Sequence, residues 1–165
     1  MKHVILRYGL LAGSLAIILG LINWFLIAQQ FGYDASQLAG YFSIILALLC
    51  VPLGMKYFRD RSATGELTFG QGLKIGMGIS AVTSIVMFFY SMVFFQIAGD
   101  DFHKWREKNL TESELEAAEQ QLAQLPDFVL SPWFQGLLMF FIVFLIGLIV
   151  SIISSLALKN VKKSM

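Results

Sequence analysis

Four long apolar runs, separated by short polar intervals, dominate the pattern along the chain. They cover about residues 8–28, 38–57, 72–98 and 133–158. At 1.5 Å per residue, each is long enough to cross a hydrocarbon layer of roughly 30 Å. The pattern therefore predicts four transmembrane helices. The third and fourth runs exceed that length and are expected to tilt or project beyond the layer. The first run begins like a secretory leader, with Lys2 and Arg7 ahead of apolar residues. It continues through Trp24, Phe25, Leu26 and Ile27 without a small-residue cleavage site, which predicts a retained first helix.

Between the third and fourth runs lies the one sizeable polar interval, residues 100–132. Thr111 and Glu114 stand at capping-box spacing, which predicts a helix start. Leu115, Ala118, Leu122 and Leu125 follow on one helical face, and Pro126 ends the pattern. The expectation is a short amphipathic helix over about residues 112–125, resting on the membrane surface or on the end of the bundle. Pro52 is expected to kink the second helix near one end. The fold class that follows is all-α: a four-helix transmembrane bundle with one short extracytoplasmic amphipathic helix, in a single domain over 1–165.

Composition agrees with a lipid environment. Hydrophobic residues make up 57% of the chain and charged residues only 14%, where a soluble domain carries about a quarter charged. Net charge is +1 with no basic cluster, so a nucleic-acid partner is not expected. The Lys and Arg of short connections set orientation. Lys2, Arg7, Lys56, Arg59, Arg61, Lys74, Lys159, Lys162 and Lys163 fall on one side, nine against the three of Lys104, Arg106 and Lys108. Both ends are expected on the cytoplasmic side. The interval holding eight acids (Asp100, Asp101, Glu107, Glu112, Glu114, Glu116, Glu119 and Asp127) then faces outward.

Candidate residues are few. Gly9, Gly13, Ala16 and Gly20 recur on one face of the first run, and Gly72, Gly76, Ser80 and Ser84 on one face of the third. Small residues let membrane helices approach closely. Such rows serve packing within the bundle or a face for self-association or a partner helix. Thr68 and Gln71 are placed to cap the third helix, with Phe69 at headgroup level. Lys74 sits in the first turns of that helix, where it snorkels, pairs with Glu66 or lines a polar path. Trp133 suits the opposite interface. Asn23, Gln96, Thr83 and Ser43 are polar residues suited to interhelical hydrogen bonds or, less readily, to lining a substrate path. His103 lacks a second His or Cys beside it, and Cys50 reads as an apolar filler, so neither a metal site nor a cofactor is expected. No nucleophile, phosphate-loop or metalloprotease motif is present.

The Phe69-Gly70-Gln71 step, the apolar residue and Lys74 after it, and the small-residue helix that follows resemble the family named domain of unknown function 4199. The basic segment 56–61 and the acidic interval after the third run resemble it too. The resemblance covers nearly the whole chain. It implies a small four-span protein of the bacterial cytoplasmic (inner) membrane. It implies no activity and carries over no functional residue. The leading expectation is a non-enzymatic accessory or interaction subunit surrounded by lipid, with a membrane-protein partner or a second copy as the partner. The alternative is a small transporter or channel, formed as an oligomer, in which Asn23, Gln96 and Lys74 line a path between subunits.

Overall fold

The computed structural model describes residues 1–62, 65–124 and 126–159, leaving aside the side chains of residues 118, 121–123, 127 and 130. Among the described residues every regular element is helical. Helix α1 (Lys2–Ile22) continues into a π-helical stretch (Asn23–Ala28), then α2 (Gln29–Leu48) and α3 (Cys50–Arg61). After a connection come α4 (Phe69–Asn109), α5 (Glu112–Ala123) and α6 (Pro132–Leu158). Among the described residues three helical stretches are long and apolar enough to cross a membrane: Lys2–Arg61, Phe69–Asn109 and Pro132–Leu158.

The first stretch does not run straight. Gly32 has φ 79° and ψ −167°, a conformation essentially confined to glycine. The chain turns back on itself there. Asn23 before the turn donates to the Ser36 carbonyl after it at 3.0 Å, and Tyr8 packs on Tyr57 with ring centroids 5.7 Å apart. Two antiparallel limbs result. Residues 29–37, expected as a polar connection, are helical on both sides of a single glycine. Gln29, Gln30, Ala35 and Gln37 are all compatible with a helix, so only one residue has to leave it. Pro52 also acts slightly away from its own position. Helix α2 ends at Leu48 and α3 begins at Cys50, with Leu49 N–H bonded to the Leu46 carbonyl at 3.2 Å. The proline ring clashes with the carbonyl four residues earlier, that of Leu48, so the break falls one turn ahead of it.

Small residues set the register of the limbs. Helix α1 runs parallel to α4: Ile5 meets Gly78, Gly9 meets Val82 and Gly13 meets Val86. A Cβ added at Gly9 would lie 2.6 Å from the Val82 Cβ, and one at Gly13 2.7 Å from the Val86 Cγ1. Helix α6 runs antiparallel to α4, with Gly72 against Ser155, Gly76 against Ser151 and Ser80 against Gly147. Most buried hydroxyls of this seam return to their own helices, while that of Ser80 lies 3.5 Å from the Ser151 hydroxyl across it. Ser84 donates to the Ser80 carbonyl at 2.8 Å, and Ser151 and Ser155 donate to carbonyls four residues back at 2.6 Å. Thr83 donates to the Ile79 carbonyl at 2.9 Å and to that of Gly9, across the α1–α4 contact, at 3.3 Å. Both glycine rows are thus occupied inside the fold.

The limbs alternate in direction, so charges sort to the two ends. Arg7, Arg61, Lys74 and Lys159 gather at one end, where the Arg7 and Arg61 guanidinium carbons lie 5.9 and 4.8 Å from the Tyr57 ring centroid. The turn at Gly32 and helix α5 lie at the other. The expected capping box at Thr68 forms in both directions: the Thr68 N–H donates to Gln71 Oε1 at 3.1 Å, and the Gln71 N–H to Thr68 Oγ1 at 3.2 Å. Helix α4 outruns the third apolar run at both ends. Its 41 residues span about 60 Å at 1.5 Å per residue, twice the thickness of a hydrocarbon layer. The first ten residues of the acidic interval therefore continue the helix. Asp100 and Lys104 stand four apart there, a pairing that supports helix.

Helix α5 starts where its sequence predicts, with a difference at its cap. The Thr111 N–H donates to Glu114 Oε2 at 2.9 Å, and the Thr111 hydroxyl donates to the same oxygen at 2.6 Å. The hydroxyl thus meets the carboxylate directly. These two bonds, the hydroxyl's first, hold the Glu114 carboxyl below its ordinary value. Leu115 of the expected apolar stripe is half-buried. The side chains of Ala118 and Leu122 are among those left aside, and Leu125 lies outside the described residues, as do Lys162 and Lys163 of the tail.

Gly76 and Gly70 make a sharp comparison. A Cβ at Gly76 would collide with the Met55 methyl and lie 2.7 Å from the Ser151 Cβ, whereas one at Gly70 meets nothing within 4 Å. Gly76→Ala is expected to destabilise the protein by about 1–3 kcal/mol through overpacking. Gly70→Ala should leave it unchanged or slightly stabilised. Thermal unfolding in mild detergent measures both. Equal melting temperatures for the two variants would refute a tight α4–α6 seam.

Candidate functional site

The half of the bundle near the Gly32 turn is built from rings. Trp24 stands in the π-helical stretch, Tyr33 just after the turn, and Phe94, Phe102 and Trp105 along α4. The Trp24 centroid lies 5.5 Å from that of Phe94, 5.8 Å from that of Phe102 and 5.6 Å from that of Trp105. Tyr33 is 5.9 Å from Trp105. The contacts with Phe94 and Trp105 are edge-on, the arrangement that ring quadrupoles favour.

Backbone chemistry fixes this cluster to the turn. A helix that stops at Gly32 leaves its last four carbonyls without intrahelical donors. Trp105 Nε1 donates to one of them, that of Ala28, at 3.0 Å. Asn23 draws the second limb in by donating to Ser36. Gly40 leaves it room: a Cβ there would touch only Asn23 Nδ2, at 3.6 Å. The π-helical hydrogen-bond pattern occurs within this wall, and such local widening is frequent at functional sites.

Beside the rings lies a cavity of about 350 Å³, bounded by α1, the π-helical stretch, α2, α4 and α6. That volume lies at the lower end of the range for small-molecule sites. Among the described residues no acidic, basic, histidine or cysteine side chain lines it; its polar side chains include Asn23, Gln37, tyrosines 33, 41 and 90, and serines 36, 43 and 91. Ser43 returns its proton to the Ala39 carbonyl at 2.6 Å. Asn23 Oδ1 is buried with no hydrogen-bond partner; among the described residues only one other buried side-chain atom, Arg106 Nε, shares that condition. An unsatisfied buried acceptor costs about 1–3 kcal/mol. The wall is thus suited to binding an uncharged molecule.

Of the residues singled out in the sequence, Ala16, Gly20, Asn23 and Ser43 line this cavity, and the others fall elsewhere. Gly9, Gly13, Gly72 and Gly76 are buried in interhelical seams, and Gly20 faces Tyr90 at the cavity wall. Phe69 and Lys74 are exposed at the basic end. Trp133 and Gln96 are exposed and border a separate groove between α4 and the start of α6. Asn23, Gln96 and Lys74 therefore do not share an interior. His103 is half-buried against Phe102, and among the described residues no three His, Cys, Asp or Glu converge on a common point. The ring cluster itself was missed from sequence. Its signal is present: Tyr90, Phe94, Phe102 and Trp105 recur on one face of a 3.6-residue period, but the last two lie in an interval that reads as a polar connection.

Residues 7–160 match the family described as protein of unknown function (DUF4199). No curated protein and no solved structure matches the chain.

Removing one donor tests how the cluster is held. Trp105→Phe keeps a ring but deprives the Ala28 carbonyl of its indole partner. The expected loss is about 0.5–1.5 kcal/mol, read as a lower melting temperature with faster amide exchange around the Gly32 turn. Unchanged exchange there would show that the indole bond does not anchor the turn.

Proposed function

This chain belongs to the DUF4199 family, whose description assigns no activity, and we propose that it is a non-enzymatic accessory protein of the bacterial cytoplasmic membrane that works by binding a small neutral molecule. The observation that carries this reading is the uncharged, ring-walled cavity around Asn23. Such a wall supplies shape, apolar contact and a few oriented polar groups, the usual make-up of a binding pocket. It supplies no acid–base pair of the kind that hydrolysis or group transfer draws on. The transporter alternative called for Asn23, Gln96 and Lys74 around one path. Within one chain they stand at three separate places, so that alternative would need a path formed between subunits. Both small-residue rows are taken up within the fold, so a protein partner or a second copy would dock through another surface.

In this reading the chain crosses the bilayer four times, with both ends cytoplasmic. The support is the gathering of Arg7, Arg61, Lys74 and Lys159 at one end together with the bias of basic residues to the cytoplasmic side. Reporter fusions test it. A fluorescent protein fused after Met165 is expected to fluoresce, and alkaline phosphatase inserted after Glu116 to be active. The reverse pair of results would invert the topology.

The binding role is tested by native mass spectrometry of protein released from its own membranes in mild detergent. A discrete small-molecule adduct is expected, and it should disappear in Gly40→Leu, which fills the space beside Asn23. Bare protein, with neither adduct nor copurifying partner, would count against an accessory role.

A further inference from the structure

We infer that the ligand of this cavity is a membrane-soluble, ring-bearing molecule whose hydroxyl or N–H donates a hydrogen bond to Asn23, such as a phenol- or quinol-type head on an apolar body. This rests on the reading of the chain as a small-molecule binding protein and adds the class of the ligand. The amide of Asn23 is oriented by its own bond. Nδ2 donates to the Ser36 carbonyl at 3.0 Å; turned over, the amide would set its oxygen against that carbonyl, acceptor against acceptor. The oxygen therefore points away from Ser36. It is buried and unpartnered, on a residue of the cavity wall. A donor on the ligand would satisfy it, and a molecule without one would leave it unsatisfied while excluding water from it.

The rest of the wall sets charge and shape. An anion would meet the Asn23 oxygen with no cation in the wall to offset it. A cation would find ring faces, but no carboxylate lines the cavity, and an unpaired charge at this depth is costly. The rings also contact one another at 5.5–5.9 Å, so they form one packed wall rather than a cage parted around an ammonium group. A flat neutral ring can add to such a wall edge-on or by offset stacking. The exposed members of the lining, Gln37 and Tyr41 of α2 and Ile142 of α6, put the opening between those two helices. Phe42 of α2 and Leu138 and Phe141 of α6 are exposed and apolar beside it, with the polar Asp34 and Gln37 toward the Gly32 turn, so the opening lies at the edge of a surface suited to lipid. A ligand would enter from the bilayer, which favours one with an apolar body.

The test uses Trp133→Phe protein in mild detergent near neutral pH. Only Trp24 and Trp105 then remain to report. Their emission is titrated with para-bromophenol, para-bromoanisole, which lacks the donor, and para-bromobenzylammonium, which carries a charge; bromine quenches on contact. Saturable quenching by the phenol is expected, with half-saturation about tenfold or more below that of the other two. Asn23→Leu should remove the preference for phenol over anisole. Gly40→Leu should abolish saturable quenching at an unchanged melting temperature. Equal binding of phenol and anisole, or tighter binding of the cation, would overturn the ligand class while leaving the cavity a binding site. The absence of saturable quenching by all three would overturn the binding reading itself. Should Asn23→Leu fail to fold, the phenol–anisole comparison in the Trp133→Phe protein still decides, because it needs no change at Asn23.

Discussion

Helix α4 can lie against three other limbs because the atoms at its contacts are small. Within a bilayer, apolar side chains gain little by leaving lipid for one another, so helices associate through close packing and a few interhelical hydrogen bonds. Gly72, Gly76 and Ser80 bring α6 close enough for Ser155, Ser151 and Gly147 to fill the seam. Gly9 and Gly13 do the same for α1 against Val82 and Val86. The hydroxyls of Ser80, Thr83, Ser84, Ser151 and Ser155 find partners within their own helices or across the contact, so the close approach leaves none of these five unpaired. A methyl group at Gly76 would push against Ser151 and Met55 together, and the registers of two contacts would change at once.

That packing is confined to the basic half of the bundle and its middle. Toward the Gly32 turn the small residues give way to rings, and rings cannot mesh as closely as glycine and serine do. There the π-helical stretch, Asn23 and the aromatic wall bound a cavity of about 350 Å³. The stability of one half and the opening in the other are thus two consequences of how side-chain size is distributed along α1 and α4. The turn ties them together. Asn23 and Trp105 both bind backbone carbonyls around Gly32, so the groups that close the hairpin are the same ones that line or brace the site.

Much of this could be read in advance from particular residues. The apolar runs, the Thr68–Gln71 cap and the sorting of Lys and Arg are local or one-dimensional features, and local rules suffice for them. The glycine rows could be seen as contact faces, but their partners could not be named, since spacing within one helix says nothing of which helix lies opposite. Asn23 was legible as a polar residue in an apolar run. Its role at the cavity depends on Ser36 and Gly40, which only the reversal at Gly32 brings near.

By itself, then, the sequence determined that this protein is a set of apolar helices, where their apolar stretches lie, and which end of each is basic. These follow from hydrophobic period, caps and charge, all of which act over a few residues. Only the tertiary structure decided that the first 60 helical residues double back at one glycine, that both small-residue rows are spent inside the fold, and that Trp24, Tyr33, Phe94, Phe102 and Trp105 form one wall. Those outcomes rest on contacts between residues up to about 80 positions apart, set by which side chains are small enough to let two backbones meet.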